Sequence, residues 1–263
     1  MRKYQFLRDL VPLQIKDRYS IFIIICVCAG LPALVWSARD LIHHRKNGHR
    51  ISAFIILLLL TDCVEIFLSP VILLKLFLNE LHLIGHGTFR VFVSLWFSSR
   101  HCGLVLNQLV ALEGILSVKY PLHTASVFSS PFLISFYILV FLCIIIGGIL
   151  LLELYFLVDL SLFIISVITW IISSFALCCA DRHSHTSRKP DRHIWVVFIF
   201  TLLVLLLPNV FLFFNRSFLP LHVRHIPHFL LSVRLISDPL VCVLVCRQNL
   251  SVQTSQPDRT SLV

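Results

Sequence analysis

Residues 57–70 read LLLLTDCVEIFLSP, an apolar run that carries two acids, Asp62 and Glu65. The acids are three residues apart, so a helix places them on one face. The apolar segment around them, 51–78, is long enough to cross about 30 Å of hydrocarbon. Ionisable side chains inside a membrane are energetically expensive, and they are either paired or functional. The stretch therefore predicts a transmembrane helix with one polar face.

The composition of the whole chain agrees with a membrane protein. Of its 263 residues, 58% are hydrophobic and only 13% are charged, whereas about a quarter of the residues of soluble domains are charged. We predict an all-α protein, a bundle of seven transmembrane helices. The predicted spans are 19–38, 51–78, 88–118, 131–153, 155–180, 194–214 and 226–246. The domains would be an extracellular tail (1–18), the transmembrane domain (19–246) and a cytoplasmic tail (247–263) that is disordered from Ser251.

Lysine and arginine between the spans predict the orientation. With the N-terminus outside, the inner segments hold 11 of these residues and the outer loops hold 4. The N-terminal tail adds five outside and narrows the difference to 11 against 9. The net charge of +9 comes from short basic tracts between apolar runs, which are typical of topology signals. We therefore expect a multi-pass plasma membrane protein with its N-terminus outside, in contact with membrane lipids and not with nucleic acid.

Further charged side chains fall within the predicted spans. Arg100 and His101 lie midway along the third span, and Arg234 and Asp238 are one helical turn apart on the seventh. Two explanations stay open at this point. The two arginines and the nearby acids neutralise one another inside the bundle, or they line a functional pocket.

The order of several motifs resembles that of the rhodopsin-like (class A) G-protein-coupled receptors. AGLPALVW, 29–36, is similar to the first-helix pattern, with Leu34 where the family has asparagine. LEGILSVKYPL, 112–122, is similar to the end of the third helix, with Glu113 and Pro121 at the family's spacing. Asp62 and Pro70 match the second helix, Pro208 the sixth, and Asp238 with Pro239 in SDPLVC the seventh.

The resemblance implies a conformational switch. Its residues would be Asp62, Glu113, Pro208, Arg234, Asp238 and Pro239, with rearrangement of the sixth and seventh spans around their prolines. In the family, polar residues of the second and seventh helices enclose a sodium ion. Here Arg234 supplies a fixed cation one turn from Asp238, so we expect behaviour that is indifferent to sodium.

Departures from the family pattern put conventional coupling in doubt. Gly114 occupies the position of the arginine that contacts the G protein in the family, and Leu206 and Cys242 replace a tryptophan and a tyrosine. Without that arginine beside it, Glu113 is expected at the inner interface, solvated or paired with Arg188 or Arg192.

The expected ligand is a small molecule, a lipid or a proton that reaches the receptor from outside. Trp96 takes the place of the aspartate of amine receptors, and Arg100 lies one turn deeper. A buried guanidinium binds carboxylate or phosphate, so Trp96, Arg100, His101 and Glu65 are the candidate ligand site. The competing explanation is an internal Arg100–Glu65 pair. The aspartate-proline form of the seventh span is most similar to the nucleotide, lysolipid and proton-sensing branch.

Other functions and modifications have less support. A heterotrimeric G protein is the partner that the resemblance implies, and a non-signalling decoy or dimerisation partner is the alternative. An intramembrane metal hydrolase built from Asp62, Glu65 and His101 or His228 lacks the usual histidine motifs, so no enzyme activity, metal or cofactor is expected. Asn215 lies in a glycosylation sequon, and Cys246 lies at the inner boundary, where palmitoylation occurs.

Overall fold

The computed structural model describes residues 13–48, 51–77, 86–119 and 226–254, together with isolated helical residues between 131 and 199. Within these residues there is no strand. The four continuous helices are α1 (Leu13–Lys46), α2 (Ala53–Phe77), α3 (His86–Lys119) and α4 (Ile226–Thr254). The all-helical class predicted from the sequence is confirmed for this part of the chain. The predicted spans 131–153, 155–180 and 194–214 lie outside the described residues, apart from those isolated positions.

The helix ends follow the local sequence. The ends of the predicted second and third spans agree with those of α2 and α3 to within two residues. Helix α1 continues past its predicted end at residue 38 and stops where Gly48 adopts a φ of 82°, which glycine takes without strain. The prediction of disorder from Ser251 is wrong as far as Thr254, because no glycine or proline interrupts α4 between Pro239 and Pro257.

Two of the four helices are long and apolar enough to cross a membrane, judged by length and composition. The qualifying segments are Ser20–Lys46 of α1 and Ala53–Leu74 of α2. Only 28% of the most apolar window of α1 is buried inside the protein. Its outer side exposes large apolar side chains that include Ile21, Ile25 and Val35. This helix is therefore apolar on the side that no described part of the protein covers.

Helices α1, α3 and α4 run in the same direction, and α2 runs in the opposite one. Gly30 of α1 faces Leu235 of α4, and further along both helices Asp40 meets Arg247. In the same way Arg100 and Asn107 of α3 meet Ser232 and Asp238 of α4 in that order. The order reverses between α2 and α3. Glu65 of α2 pairs with Arg100 of α3. Ser69, which comes later in α2, pairs with Trp96, which comes earlier in α3.

The interior has a polar layer between two apolar clusters. One cluster contains side chains of all four helices, among them Phe54, Leu58, Leu106 and Val241. The other joins Ile23, Ile72, Leu73 and Trp96 at the opposite end. The level between them holds five charged side chains, Asp62, Glu65, Arg100, Arg234 and Asp238. Apolar packing on both sides excludes water from these charges, which raises the strength of every ionic contact among them.

Candidate functional site: a buried ion network

Arg234 is the centre of the site. Its side chain is 0% exposed, and its Nη2 atom lies 2.9 Å from Oε2 of Glu65 and 3.4 Å from Oδ1 of Asp62. Its Nη1 atom lies 3.3 Å from Oδ2 of Asp238, one turn further along α4. The same Nη2 donates a long hydrogen bond of 3.4 Å to the carbonyl of Ser99 on α3. One guanidinium thus connects α4 to both α2 and α3.

Arg100 completes the network on the side of α3. Its Nε atom lies 3.2 Å from Oε1 of Glu65, so the two oxygens of that carboxylate face different arginines. Its Nη2 donates a hydrogen bond of 2.6 Å to the Ser232 hydroxyl on α4. The guanidinium carbon also lies 4.4 Å from the centre of the Trp96 ring, a cation–π arrangement. The internal Arg100–Glu65 pair that the sequence left open is present.

Trp96 is held in turn by α2. Its indole nitrogen donates a hydrogen bond of 3.0 Å to the Ser69 hydroxyl, which donates to the carbonyl of Glu65 at 2.7 Å. Indole has a single donor, and a buried donor without a partner is costly. The bond therefore fixes the ring against Arg100, and it links this part of the site to the helix that carries Glu65.

Asp238 contacts both α2 and α3. Asn107 of α3 donates a hydrogen bond of 2.5 Å to its Oδ1 atom. Its carboxyl also lies beside that of Asp62 on α2, since both approach the guanidinium group of Arg234. Two guanidinium groups in this layer face the three carboxylates of Asp62, Glu65 and Asp238.

Gly103 makes the space for Arg234. A Cβ atom at this position would overlap the guanidinium group of Arg234. Gly103 follows Arg100 by one helical turn and precedes Asn107 by another, so the three residues share the face of α3 that meets α4. The missing side chain is therefore what allows a buried arginine to lie against α3.

Glu113 lies apart from the network, near the N-terminus of α2. The expectation that it is solvated is wrong, because the residue is only 7% exposed. Its side chain hydrogen-bonds with Ser52, whose hydroxyl accepts a 3.2 Å bond from the amide of Phe54 and so caps α2. The positive end of the α2 dipole provides a favourable place for the carboxylate. The suggested partners Arg188 and Arg192 lie outside the described residues.

The remaining predicted site residues are distributed as follows. Pro239 follows Asp238 within α4 and is buried. His101 is on α3, but its side chain, Pro208 and Asn215 are all outside the described residues. Cys246 is 3% exposed in the cluster around Val241 and Leu41. The thiol is thus packed inside the protein in this conformation, and the palmitoylation of Cys246 stays a prediction.

Several residues of the site were not predicted from the sequence. They are Ser52, Ser69, Ser99, Gly103, Asn107 and Ser232. Asn107 and Gly103 could have been found, because they follow Arg100 at spacings of seven and three on one helix face. The serines carry no such signal, since serine is ordinary in membrane helices and its role depends on what faces it.

The geometry is not that of a metal site. Among the residues whose side chains are described, no group of three or more histidines, cysteines, aspartates or glutamates is arranged to hold a metal ion. The acids face arginines instead.

No protein-family model matches the sequence, and no curated protein matches it. The resemblance to rhodopsin-like receptors therefore depends on the order and spacing of the motifs.

Proposed function

We propose that the chain is a divergent, non-enzymatic rhodopsin-like receptor. It would cross the plasma membrane seven times with its N-terminus outside and respond to an extracellular small molecule, lipid or proton. The observation that carries this proposal is the Arg234 network, which ties the seventh predicted span to the second and third through Asp62, Glu65 and Ser99. In this proposal the network is the switch that holds the resting arrangement.

The directions of the helices support seven spans. Helices α3 and α4 run in the same direction, so in a bilayer the chain between them, 120–225, crosses an odd number of times. The sequence offers three apolar segments of bilayer length in that region, 131–153, 155–180 and 194–214. Three crossings satisfy the parallel arrangement, whereas two would make α3 and α4 antiparallel. The exposed apolar side of α1 supports insertion, because lipid is the natural cover for such a surface.

The architecture can be tested with epitope tags on the full chain. Tags inserted after His123 and after His222 should be on opposite sides of the membrane, and the tag after His222 should share the outside with an N-terminal tag. Antibody labelling of intact and permeabilised cells measures this. Labelling of the first two tags on the same side contradicts three intervening spans.

The contacts of Glu65 indicate which class of ligand would act on this switch. Glu65 divides its two oxygens between Arg100 and Arg234, so an anion that binds Arg100 would compete with this carboxylate. Loss of the Arg100 contact would change the position of Glu65 against Arg234 and so loosen α4 from α2. A carboxylate or phosphate ligand therefore suits this switch better than a cationic amine.

The signalling test uses surface-expressed protein and a panel of G-protein activation assays over a range of pH and anionic lipids. Glu65→Gln should raise basal activation, because it weakens both arginine contacts. Ser37→Ala, a buried hydroxyl on α1 outside the network, serves as the control and should leave basal activation unchanged. Equal activity of the parent and Glu65→Gln on a surface-expressed receptor contradicts the switch.

A second candidate, a non-signalling decoy or dimerisation partner, is favoured by one observation at Gly114. A Cβ atom there would lie 3.0 Å from Cγ2 of Val245, so this position packs α3 against α4. An arginine at 114 therefore needs room, and the informative variant is Gly114→Arg combined with Val245→Ala. Activity in that double variant supports a receptor that has lost its coupling residue. Silence of all variants at full surface expression favours the second candidate.

A further inference from the structure

A shallow groove of about 390 Å³ lies on the surface near the C-terminal end of α1. Trp36, Arg39, Asp40, Ile42, His43 and Lys46 line it. Trp36, Arg39, His43 and Lys46 follow one another at spacings of three and four, so they occupy one face of the helix. The groove thus places an aromatic ring and three basic side chains in one row.

The groove begins where the apolar surface of α1 ends. Trp36 is 46% exposed, and the exposed Val35 and Leu31 precede it on the apolar part of the helix. Tryptophan is enriched at the boundary between hydrocarbon and headgroups. Arg39, His43 and Lys46 follow on the polar side of this boundary, at the level of lipid headgroups.

The charge of the groove is positive because its one acid pairs with an arginine of another helix. Oδ1 of Asp40 lies 3.3 Å from Nη2 of Arg247 on α4, whereas Nδ1 of His44 donates to the backbone carbonyl of Asp40. Within the described part of the chain, neither Arg39 nor Lys46 pairs with an acid. Two lasting positive charges therefore face the groove.

Two simpler roles account for basic residues at this end of a helix. They complement the negative end of the helix dipole, and they orient the chain in the membrane. Neither role requires a particular face, and Arg45 serves both while lying off the groove. The alignment of Arg39 and Lys46 with an exposed tryptophan, around a concave surface, is what these roles leave unexplained.

We propose that this groove binds the headgroup of an anionic phospholipid. Arg39 and Lys46 contact the phosphate, Trp36 lies at the glycerol level, and the acyl chains follow the apolar side of α1 past Val35 and Leu31. Basic pockets at the membrane surface recognise anionic headgroups in this way. The inference rests on the membrane insertion proposed above and does not depend on signalling.

The test uses the full chain, purified in mild detergent and titrated with phosphatidylserine or phosphatidylcholine while native mass spectrometry counts bound lipid. The parent should prefer phosphatidylserine. Arg39→Gln and Lys46→Gln should each weaken phosphatidylserine binding about fivefold, and the double variant should lose most of the preference. Arg45→Gln is the matched control, because it removes one exposed charge from the same turn outside the groove, and its binding should equal that of the parent.

Three results would overturn the proposal. They are equal binding of both lipids, an equal loss in Arg45→Gln and Lys46→Gln, and displacement of phosphatidylserine by millimolar inorganic phosphate, which would indicate a site for free anions. Quenching of Trp36 fluorescence by brominated phosphatidylserine in nanodiscs, taken as the difference from Trp36→Phe, gives an independent measure of the same contact. Failure of membrane insertion is recognised separately, because carbonate washing would then release the protein from cell membranes.

Discussion

The guanidinium of Arg234 lies 2.9 Å from the carboxylate of Glu65, and the two side chains are 0% and 1% exposed. They are 169 residues apart in the chain. Apolar side chains give little specificity between helices in lipid, so polar contacts and close packing determine which helices meet and in what register. This pair fixes α4 against α2 at one level, and the contacts of Arg234 with Asp62 and Ser99 reinforce it.

Removal of Arg234 should be strongly destabilising. Arg234→Met leaves Asp62, Glu65 and Asp238 together without their shared cation, and breaking a buried pair in this way typically costs about 3–5 kcal/mol. Chemical unfolding of the purified protein in detergent measures the change in the free energy of unfolding.

Arg247→Gln provides the control for this change. Arg247 also pairs with an acid, at 3.3 Å from Asp40, but its side chain is 56% exposed. Exposed pairs contribute about 0–1 kcal/mol, so this variant should unfold nearly as the parent does. Similar losses in Arg234→Met and Arg247→Gln would show that the buried network is not what stabilises the bundle.

The network could be foreseen in part. The spacing of Asp62 and Glu65 and of Arg234 and Asp238 places each pair on one helix face, and the cost of burying charge implies that such residues find partners. The sequence could not say which partners. Periodicity determines the face of a helix but not its neighbours, and the relative heights of α2, α3 and α4 decide that Glu65 meets both Arg100 and Arg234.

The burial of Glu113 could not be foreseen for a similar reason. A charged residue near the end of an apolar run usually reaches water, and the sequence does not show that the N-terminus of α2 lies beside it. The cap at Ser52 and the end of that helix supply polar partners inside the protein. Glu65 and Glu113 both lie in apolar runs, but the neighbouring helices, and not the local sequence, determine their different surroundings.

Gly103 should tolerate no side chain. In Gly103→Ala the new methyl group would occupy the space of the Arg234 guanidinium, so that arginine must move away from its acids. We expect a loss of several kcal/mol in the free energy of unfolding, on the scale of a broken buried pair. The measurement is the same detergent unfolding assay.

Gly87→Ala is the matched control, because a Cβ atom there meets nothing within 4 Å. Alanine is favoured over glycine in a helix by up to about 1 kcal/mol, so this variant should be as stable as the parent or slightly more so. An unchanged stability of Gly103→Ala would mean that Arg234 does not lie against this part of α3.

The protein should not respond to sodium. Arg234 already contacts Asp62, Glu65 and Asp238, so its fixed charge takes the place that a cation would fill among these acids. The melting temperature of the purified parent should be the same in sodium chloride and in choline chloride at equal ionic strength. A melting temperature that rises specifically with sodium contradicts this assignment.

The hydrogen bond between Trp96 and Ser69 should couple the two residues energetically. Trp96→Phe keeps an aromatic face toward Arg100 but removes the donor, and Ser69→Ala removes the acceptor. Each change should lower the free energy of unfolding by about 1 kcal/mol or more, because each removes this hydrogen bond and leaves the other residue's buried polar group without it. If the bond is the common cause, the double variant should lose clearly less than the sum of the two single changes, and a double-mutant cycle measures that difference. Ser98→Ala changes a buried serine two residues from Trp96, on a different face of α3, and its effect should instead add independently to that of Trp96→Phe. Additive losses for Trp96→Phe and Ser69→Ala would mean that the two residues stabilise the bundle through separate contacts.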